Sequence, residues 1–251
     1  MSAFDLTPLL DLLPELLAGR PLVALTGAGV SAESGLPTFR GPGGMWEGNR
    51  PEDLATPEAF ARDPEKVWRF YAWRLGKLRA ARPNEGHLAL ARMERLLPRM
   101  TIVTQNVDGL HAAAGSRNIL ELHGTLLAAR CTECDRRVPA PESPIPPLPR
   151  CGACGALLRP DVVWFGEALS PVTWNAASRA AEECAVFFVV GTSSVVAPAS
   201  SLALLAARSG AYVFEINVEE TPLAPLAAGV FRARAAEVLP AIAEELMRRV
   251  P

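Results

Sequence analysis

The chain has 251 residues, 49% of them hydrophobic, with a formal net charge of −2 and a sequence pI near 6.0. That length suits one sizeable domain, or one domain carrying a smaller insertion, and near-neutral charge removes the electrostatic case for a dedicated nucleic-acid binder. The longest apolar run, Ala185 to Val190, falls far short of the roughly 20 residues a membrane helix needs, and the start Met1-Ser2-Ala3-Phe4-Asp5 lacks signal-peptide features. A cytoplasmic chain is expected, where disulfides are rare, so the five Cys need another role.

In chain order, the Leu-rich stretch 6–18 predicts a first helix ending at Gly19, and Pro21 to Thr26 a buried strand. Residues 36–57, rich in Gly and Pro without a period, predict loop. Asp63 is placed to cap a helix with Pro64 at its first position, running to about Arg79. A helix over 85–97, a strand at 101–104 and a short strand at 118–122 follow. Residues 131–160 change character, with four Cys, many Pro and almost no periodicity. A strand at 185–190, a helix over 198–208, a strand at 211–216 and a last helix over 237–249 complete the pattern. Alternating strands and helices predict an α/β fold with a parallel sheet covered on both faces. The expected large domain takes residues 1–36, 84–125 and 161–251. Residues 37–83 and 126–160 are expected to build a smaller inserted domain.

Four motifs carry chemistry. Gly27-Ala28-Gly29-Val30-Ser31-Ala32 follows a strand and matches the G-x-G-x-x-A dinucleotide fingerprint; taken alone it also fits a Gly-rich turn with no ligand. A second strand ending in an acid about 20 residues on, as in a dehydrogenase, is missing. Cys131-x2-Cys134 and Cys151-x2-Cys154, sixteen residues apart, fit a four-thiolate zinc site. Four protein ligands leave no open position, so one structural Zn²⁺ is expected, while Cys184 fits a buried core residue. Gln105-Asn106-Val107-Asp108-Gly109-Leu110-His111 lies just past a strand, where ligands bind, or where a capped turn enters a helix. Of the three His, His87 fits packing inside a helix, His111 a helix start, and His123, at a strand end beside Gly124, a proton acceptor.

Together these segments resemble the sirtuins, the NAD-dependent protein lysine deacylases. The matching residues run from Gly27 to Arg40, then Gln105 to Asp108, His123-Gly124 and the four Cys. Phe165-Gly166-Glu167, Gly191-Thr192-Ser193 and Asn217-Val218-Glu219 follow in the family's order. The resemblance implies a Rossmann-type large domain and a small domain made of a helical module and a zinc module, with a cleft between them entered by NAD and by an acyl-lysine from opposite sides. It places Gly27, Ala28, Gly29, Ser31, Ala32, Thr38, Phe39 and Arg40 around the pyrophosphate and nicotinamide ribose. Gln105, Asn106 and Asp108 go to the nicotinamide, and Gly191, Thr192, Ser193, Asn217, Val218, Glu219 and Ala235 to the adenosine half. Val163, Phe165, Gly166, Glu167 and Val195 would pair with the substrate backbone as an added strand. His123, Asn106 and Arg40 are the implied catalytic residues. The acyl oxygen attacks the ribose carbon as nicotinamide leaves, His123 acts as base toward a ribose hydroxyl, and water releases lysine and O-acyl-ADP-ribose.

Tyr71 and Arg74, three apart on a helix, share the face flanked by Val67, Leu75 and Leu78. An Arg on a buried face needs an anionic partner, which a succinyl, malonyl or glutaryl group supplies; a core Tyr beside a solvated Arg has the same spacing. The Tyr-x-x-Arg pattern is similar to that of the sirtuins that remove acidic acyl groups, so both deacetylation and desuccinylation are expected. The partners are then acylated protein lysines, with no nucleic acid, no membrane and a monomeric chain. Two rivals make different predictions: a mono-ADP-ribosyltransferase would not couple ADP-ribose release to lysine deacylation, and a zinc-ribbon nucleic-acid binder would show salt-sensitive DNA binding.

Overall fold

The computed structural model describes residues 4–38 and 50–249. The main sheet opens with β1 (Leu22–Thr26), β2 (Met100–Thr104) and β3 (Ile119–Glu121). A small antiparallel sheet follows, β4 (Gly124–Cys131), β5 (Arg137–Pro139) and β6 (Leu158–Val162) in the order β5-β4-β6. The chain then returns to the main sheet with β7 (Val186–Val190), β8 (Tyr212–Ile216) and β9 (Gly229–Phe231). The six main-sheet strands run parallel in the order β3-β2-β1-β7-β8-β9. The chain thus winds outward from β1 to one edge and from β7 to the other. The crevice beyond the carboxyl ends of β1 and β7 is the topological switch point, where ligands bind in such sheets.

Apolar residues on both faces of each central strand explain why the sheet is covered twice. Leu22 and Ala24 of β1 join one core with Ile102, Phe188 and Phe214, while Val23 and Leu25 join the other with Val103, Phe187 and Val189. The covering helices are α1 (Thr7–Leu10), α2 (Leu13–Leu17), α5 (Glu85–Leu96), α7 (Pro171–Glu183), α8 (Ser201–Arg208) and α9 (Ala235–Arg249). A third core gathers Phe60, Trp68, Tyr71, Leu75, Leu126, Leu158 and Trp164, around α3 (Pro57–Arg62), α4 (Pro64–Ala80) and the small sheet. No helix among the described residues is long and apolar enough to cross a membrane.

The single helix expected over 6–18 is two short ones, each with a Pro in its first two positions. Pro14 in mid-helix would lack an N–H and press on the carbonyl one turn back, so the chain restarts there. Asp63 does cap α4, its carboxylate accepting from Lys66 N at 2.9 Å. Six strands and α-helices were not foreseen, α3, β4, β5, β6, α7 and β9, while α6 (Leu110–Ala113) is the helix that a capped turn at 105–111 would enter. For α3 and α7 the signals were present, Thr56 and Ser170 as side-chain caps with Pro57 and Pro171 next in line. The low-period stretch 131–160 also holds β5, whose three residues are too few to show alternation.

Candidate active site and metal centre

Every motif at a strand end lies along the carboxyl edge of the main sheet. Thr26 of β1 runs into Gly27 and a 3-10 helix, Ala28–Ser34; β2 runs into Gln105–Asp108, β3 into His123, β7 into Gly191–Ser193, and β8 into Asn217–Glu219. Ala235 opens α9 beyond β9. The glycines explain how the first loop meets the fourth. A Cβ on Gly27 would lie 2.7 Å from Thr192 Cβ, and one on Gly29 2.7 Å from Gly191 Cα. Gly191 itself has φ +58 and would strike Val30 N at 2.5 Å. These glycines serve the mutual approach of two loops at the switch point. Thr192 ties the floor together, accepting from Gln105 Nε2 at 3.0 Å through its hydroxyl and from Asn217 Nδ2 at 2.8 Å through its carbonyl. Ser194 holds a left-handed φ of 58, with a buried hydroxyl that has no partner among the described residues. A strained residue with an unsatisfied hydroxyl beside this crevice fits a site built for a polar ligand.

Ser31, Asn106 and Asp108 form one buried network. Ser31 Oγ donates to Asp108 Oδ2 at 2.8 Å and accepts from Asn106 Nδ2 at 3.1 Å, while Asn106 Nδ2 also reaches the Gly27 carbonyl at 3.1 Å. Leu110 N donates to Asp108 Oδ1 at 2.9 Å. His87 joins them, its Nε2 lying 3.4 Å from Ser31 Oγ. The Asn84 N–H donates to His87 Nδ1, which fixes the ring proton on Nε2, facing Ser31. His87 is therefore a capping residue of α5 that also reaches the network, a role that its apolar helical neighbours did not suggest. Burial lowers His87 to about 4, with Asp108 partly opposing, and burial followed by repulsion from His87 lowers His111 to about 3. Both rings are neutral, and His111 bonds Thr26 Oγ1 at 2.9 Å inside α6. An amide, a carboxylate and a hydroxyl held together suit a carboxamide and a ribose, so the chain's donors and acceptors fit NAD.

His123 Nδ1 lies 2.9 Å from the Gln105 carbonyl. A carbonyl only accepts, so Nδ1 carries the proton and Nε2 keeps a basic lone pair. Burial lowers its pKa from the ordinary His value and the Gln105 carbonyl partly restores it. Near neutral pH the ring is an unprotonated base.

A pocket with about 480 Å³ of non-atom space, its open mouth included, connects this network to α4. Ala28, Ser31, Asn106 and Asp108 line one side; Trp73, Arg74, Lys77 and Leu78 line the other. The network and Arg74, which the sequence could only place on separate elements, share one cavity. Arg74 is half-buried, and Tyr71 is 1% exposed and absent from the pocket lining. Burial lowers the Arg74 pKa, while Tyr71 and Asp108 oppose the shift. Asp108 thus already supplies part of the counter-charge that the sequence reading left wholly to a ligand.

The segment carried over for substrate pairing is partly engaged within the chain. The amides of Val163, Phe165 and Glu167 donate to the carbonyls of His123, Ala55 and Trp164 at 2.9, 2.9 and 3.0 Å. Glu167 grips buried Arg159 through both oxygens, at 2.6 and 2.8 Å. The Phe165 and Val195 side chains are half exposed, and Gly166 has φ +87. Ala32, Ser193, Val218 and Glu219 are exposed, and Thr38 is half-buried. Phe39 and Arg40 lie outside the described residues.

Cys131, Cys134, Cys151 and Cys154 bring their sulfurs within 4.8 Å of one another and form no disulfide. Three Sγ–Sγ separations are 3.3, 3.8 and 3.6 Å. A tetrahedron with Zn–S bonds of about 2.3 Å has edges of about 3.8 Å, so the four thiols fit one Zn²⁺. Cys151, which opens the second of the two Cys-x2-Cys turns, is lowered to about 6 by the N–H groups of Ala153 and Cys154, which favours the thiolate a metal needs. Cys184 is separate: burial pushes its thiol up to about 12, and it packs in the core beneath α7 and α8.

Residues 27–198 match the Sir2 family profile. The chain is 52% identical over 240 residues to NAD-dependent protein deacylase 1 of Archaeoglobus fulgidus, covering 95% of this chain and 96% of that one. It superposes on a crystal structure of a Sir2 homolog–NAD complex with a TM-score of 0.89 at 50% identity, covering 98% and 95% of the two chains. A Sir2 variant bound to deacetylated p53 peptide and 3′-O-acetyl-ADP-ribose gives 0.86 at 31% identity, covering 98% of each. These likenesses run along nearly the whole length, and the chain belongs to the Sir2 family.

Proposed function

We propose that this protein removes acyl groups from protein lysines with NAD as co-substrate, yielding nicotinamide, O-acyl-ADP-ribose and free lysine. The observation that carries the proposal is a neutral His123 whose Nε2 lone pair stands at the same sheet edge as the Ser31–Asn106–Asp108 network. Bound NAD supplies the electrophilic ribose carbon and the hydroxyl that receives the acyl group. Asn106 and Asp108 hold the carboxamide, Ser31 the ribose, and the Gly191–Ser193 and Asn217–Glu219 loops the adenosine half. Gly27, Ala28, Gly29, Ala32, Thr38 and Gln105 shape the same crevice. Nε2 of His123 takes the hydroxyl proton. The peptide backbone lies along Phe165–Glu167 and Val195, using main-chain groups other than the three engaged amides. The third core and the zinc module form the small domain, and the chain works as a cytoplasmic monomer.

The acyl group it takes includes the acidic ones, because Arg74 lines the pocket that contains Asn106 and Asp108. A guanidinium on a succinyl carboxylate contributes about 2 kcal/mol at a half-buried site, near the low end for paired charges. Arg74→Met keeps the stem volume and is expected to lower kcat/KM for a succinyl-lysine peptide roughly thirtyfold, while the matched acetyl peptide loses far less. Equal losses on both peptides would show that Arg74 supports the fold or the NAD site instead.

A further inference from the structure

We infer that Trp164 is a positioning residue for Arg74, acting through Tyr71, and so helps to set the preference for acidic acyl groups; this rests on the acidic-acyl reading above. The indole of Trp164, 2% exposed, donates its Nε1–H to the Tyr71 hydroxyl at 2.8 Å. Tyr71, 1% exposed, carries the Arg74 guanidinium over its ring, with Cζ 5.4 Å from the Tyr71 centroid and 5.7 Å from that of Phe70. An indole N–H can only donate, so the Tyr71 oxygen accepts from it and the bond orients the phenol. The ring is thus held by Trp164 at its oxygen and bears Arg74 on its face.

Trp164 is in turn immobilised. Arg159 stacks its guanidinium 3.4 Å from the indole centroid, and Glu167 binds Arg159 with both oxygens and accepts the Trp164 backbone N–H at 2.8 Å. One continuous set of contacts thus runs from β6 through Trp164 and Tyr71 to the arginine on the pocket wall. Without the indole N–H, the buried phenol would lose the bond that orients its ring, and Arg74 would lose the fixed face it rests on. From sequence, Phe165-Gly166-Glu167 was assigned to the substrate backbone, and nothing in the spacing pointed to Trp164 acting on α4.

Trp164→Phe keeps an aromatic ring against Arg159 and removes the Nε1–H donor along with part of the indole volume. The succinyl-to-acetyl ratio of kcat/KM is expected to fall about fivefold, the worth of one neutral hydrogen bond, and chiefly through KM for the succinyl peptide. In an Arg74→Met background the same substitution should not move that ratio, because the group being positioned is gone. Tyr71→Phe should reproduce the shift and serves as the readout if Trp164→Phe does not fold. Equal loss on both peptides, or a ratio shift just as large in the Arg74→Met background, overturns the positioning role. A wild-type enzyme that removes acetyl but no succinyl groups overturns the acidic-acyl reading and the positioning role together.

Discussion

His123→Ala is expected to lower kcat by about two or more orders of magnitude, as loss of a general base does, while NAD still binds and the protein still melts as a folded chain. The side chain is half-buried at a strand end, and the backbone bond it loses is to a single carbonyl. Its contribution to the fold is therefore small beside its contribution to proton transfer. The pH profile gives an independent check. Burial holds the His123 pKa below the ordinary His value of 6.5, and the deprotonated ring is the active form. Turnover should therefore show an acid limb with its midpoint below pH 6.5, and His123→Ala should lose this limb. Single-turnover kinetics with calorimetry of NAD binding would measure both. Near-normal turnover by a folded His123→Ala enzyme, or an acid limb unchanged in it, would remove His123 from the mechanism.

The second large effect concerns the metal. Purified protein should hold one zinc per chain, and Cys151→Ser should cost most of the stability of the segment around the small sheet. Cys131 and Cys151 join the third hydrophobic core, so zinc and that core are formed together. Between β5 and β6 lie five Pro and few apolar residues, too little to fold without a ligand. Metal binding is then folding free energy. A loss of about 4 kcal/mol would lower Tm by roughly 8–16 °C in a chain of this size. Metal analysis and melting of wild type, a chelated sample and Cys151→Ser would decide it. A zinc-free wild type, or a Cys151→Ser protein melting like wild type, would rule out the structural metal.

Much of the fold was legible because the central strands are apolar on both faces and the capping residues stand where helices begin. The strands β1, β2, β7 and β8 announce themselves as runs such as Val186–Val190, and Asp63-Pro64 marks the start of α4. Short elements were lost for a physical reason: β5 and β9 have three residues each, too few for a two-residue alternation to stand out. The site was legible wherever a motif sits at a strand end, since the sheet then places it. It was not legible where a side chain acts across the chain. His87 looks like packing because Leu88, Ala89 and Leu90 surround it in sequence, yet its ring proton faces Ser31, 56 residues away. Trp164 and Tyr71 are 93 residues apart. The roles of Gly27 and Gly29 also differ in emphasis from a phosphate-binding turn, because what a Cβ would strike there is Gly191 and Thr192.

The central claim is that acyl removal and NAD cleavage are one reaction on this chain. The direct measurement is mass spectrometry of acetyl-, succinyl- and glutaryl-lysine peptides incubated with enzyme and NAD, counting free lysine peptide, nicotinamide and O-acyl-ADP-ribose. The expected result is equal amounts of all three products, with none formed without NAD and about a hundredfold less, or lower still, formed by His123→Ala. Deacylated peptide appearing without NAD, or ADP-ribose transferred to protein while the acyl-lysine stays intact, would contradict it.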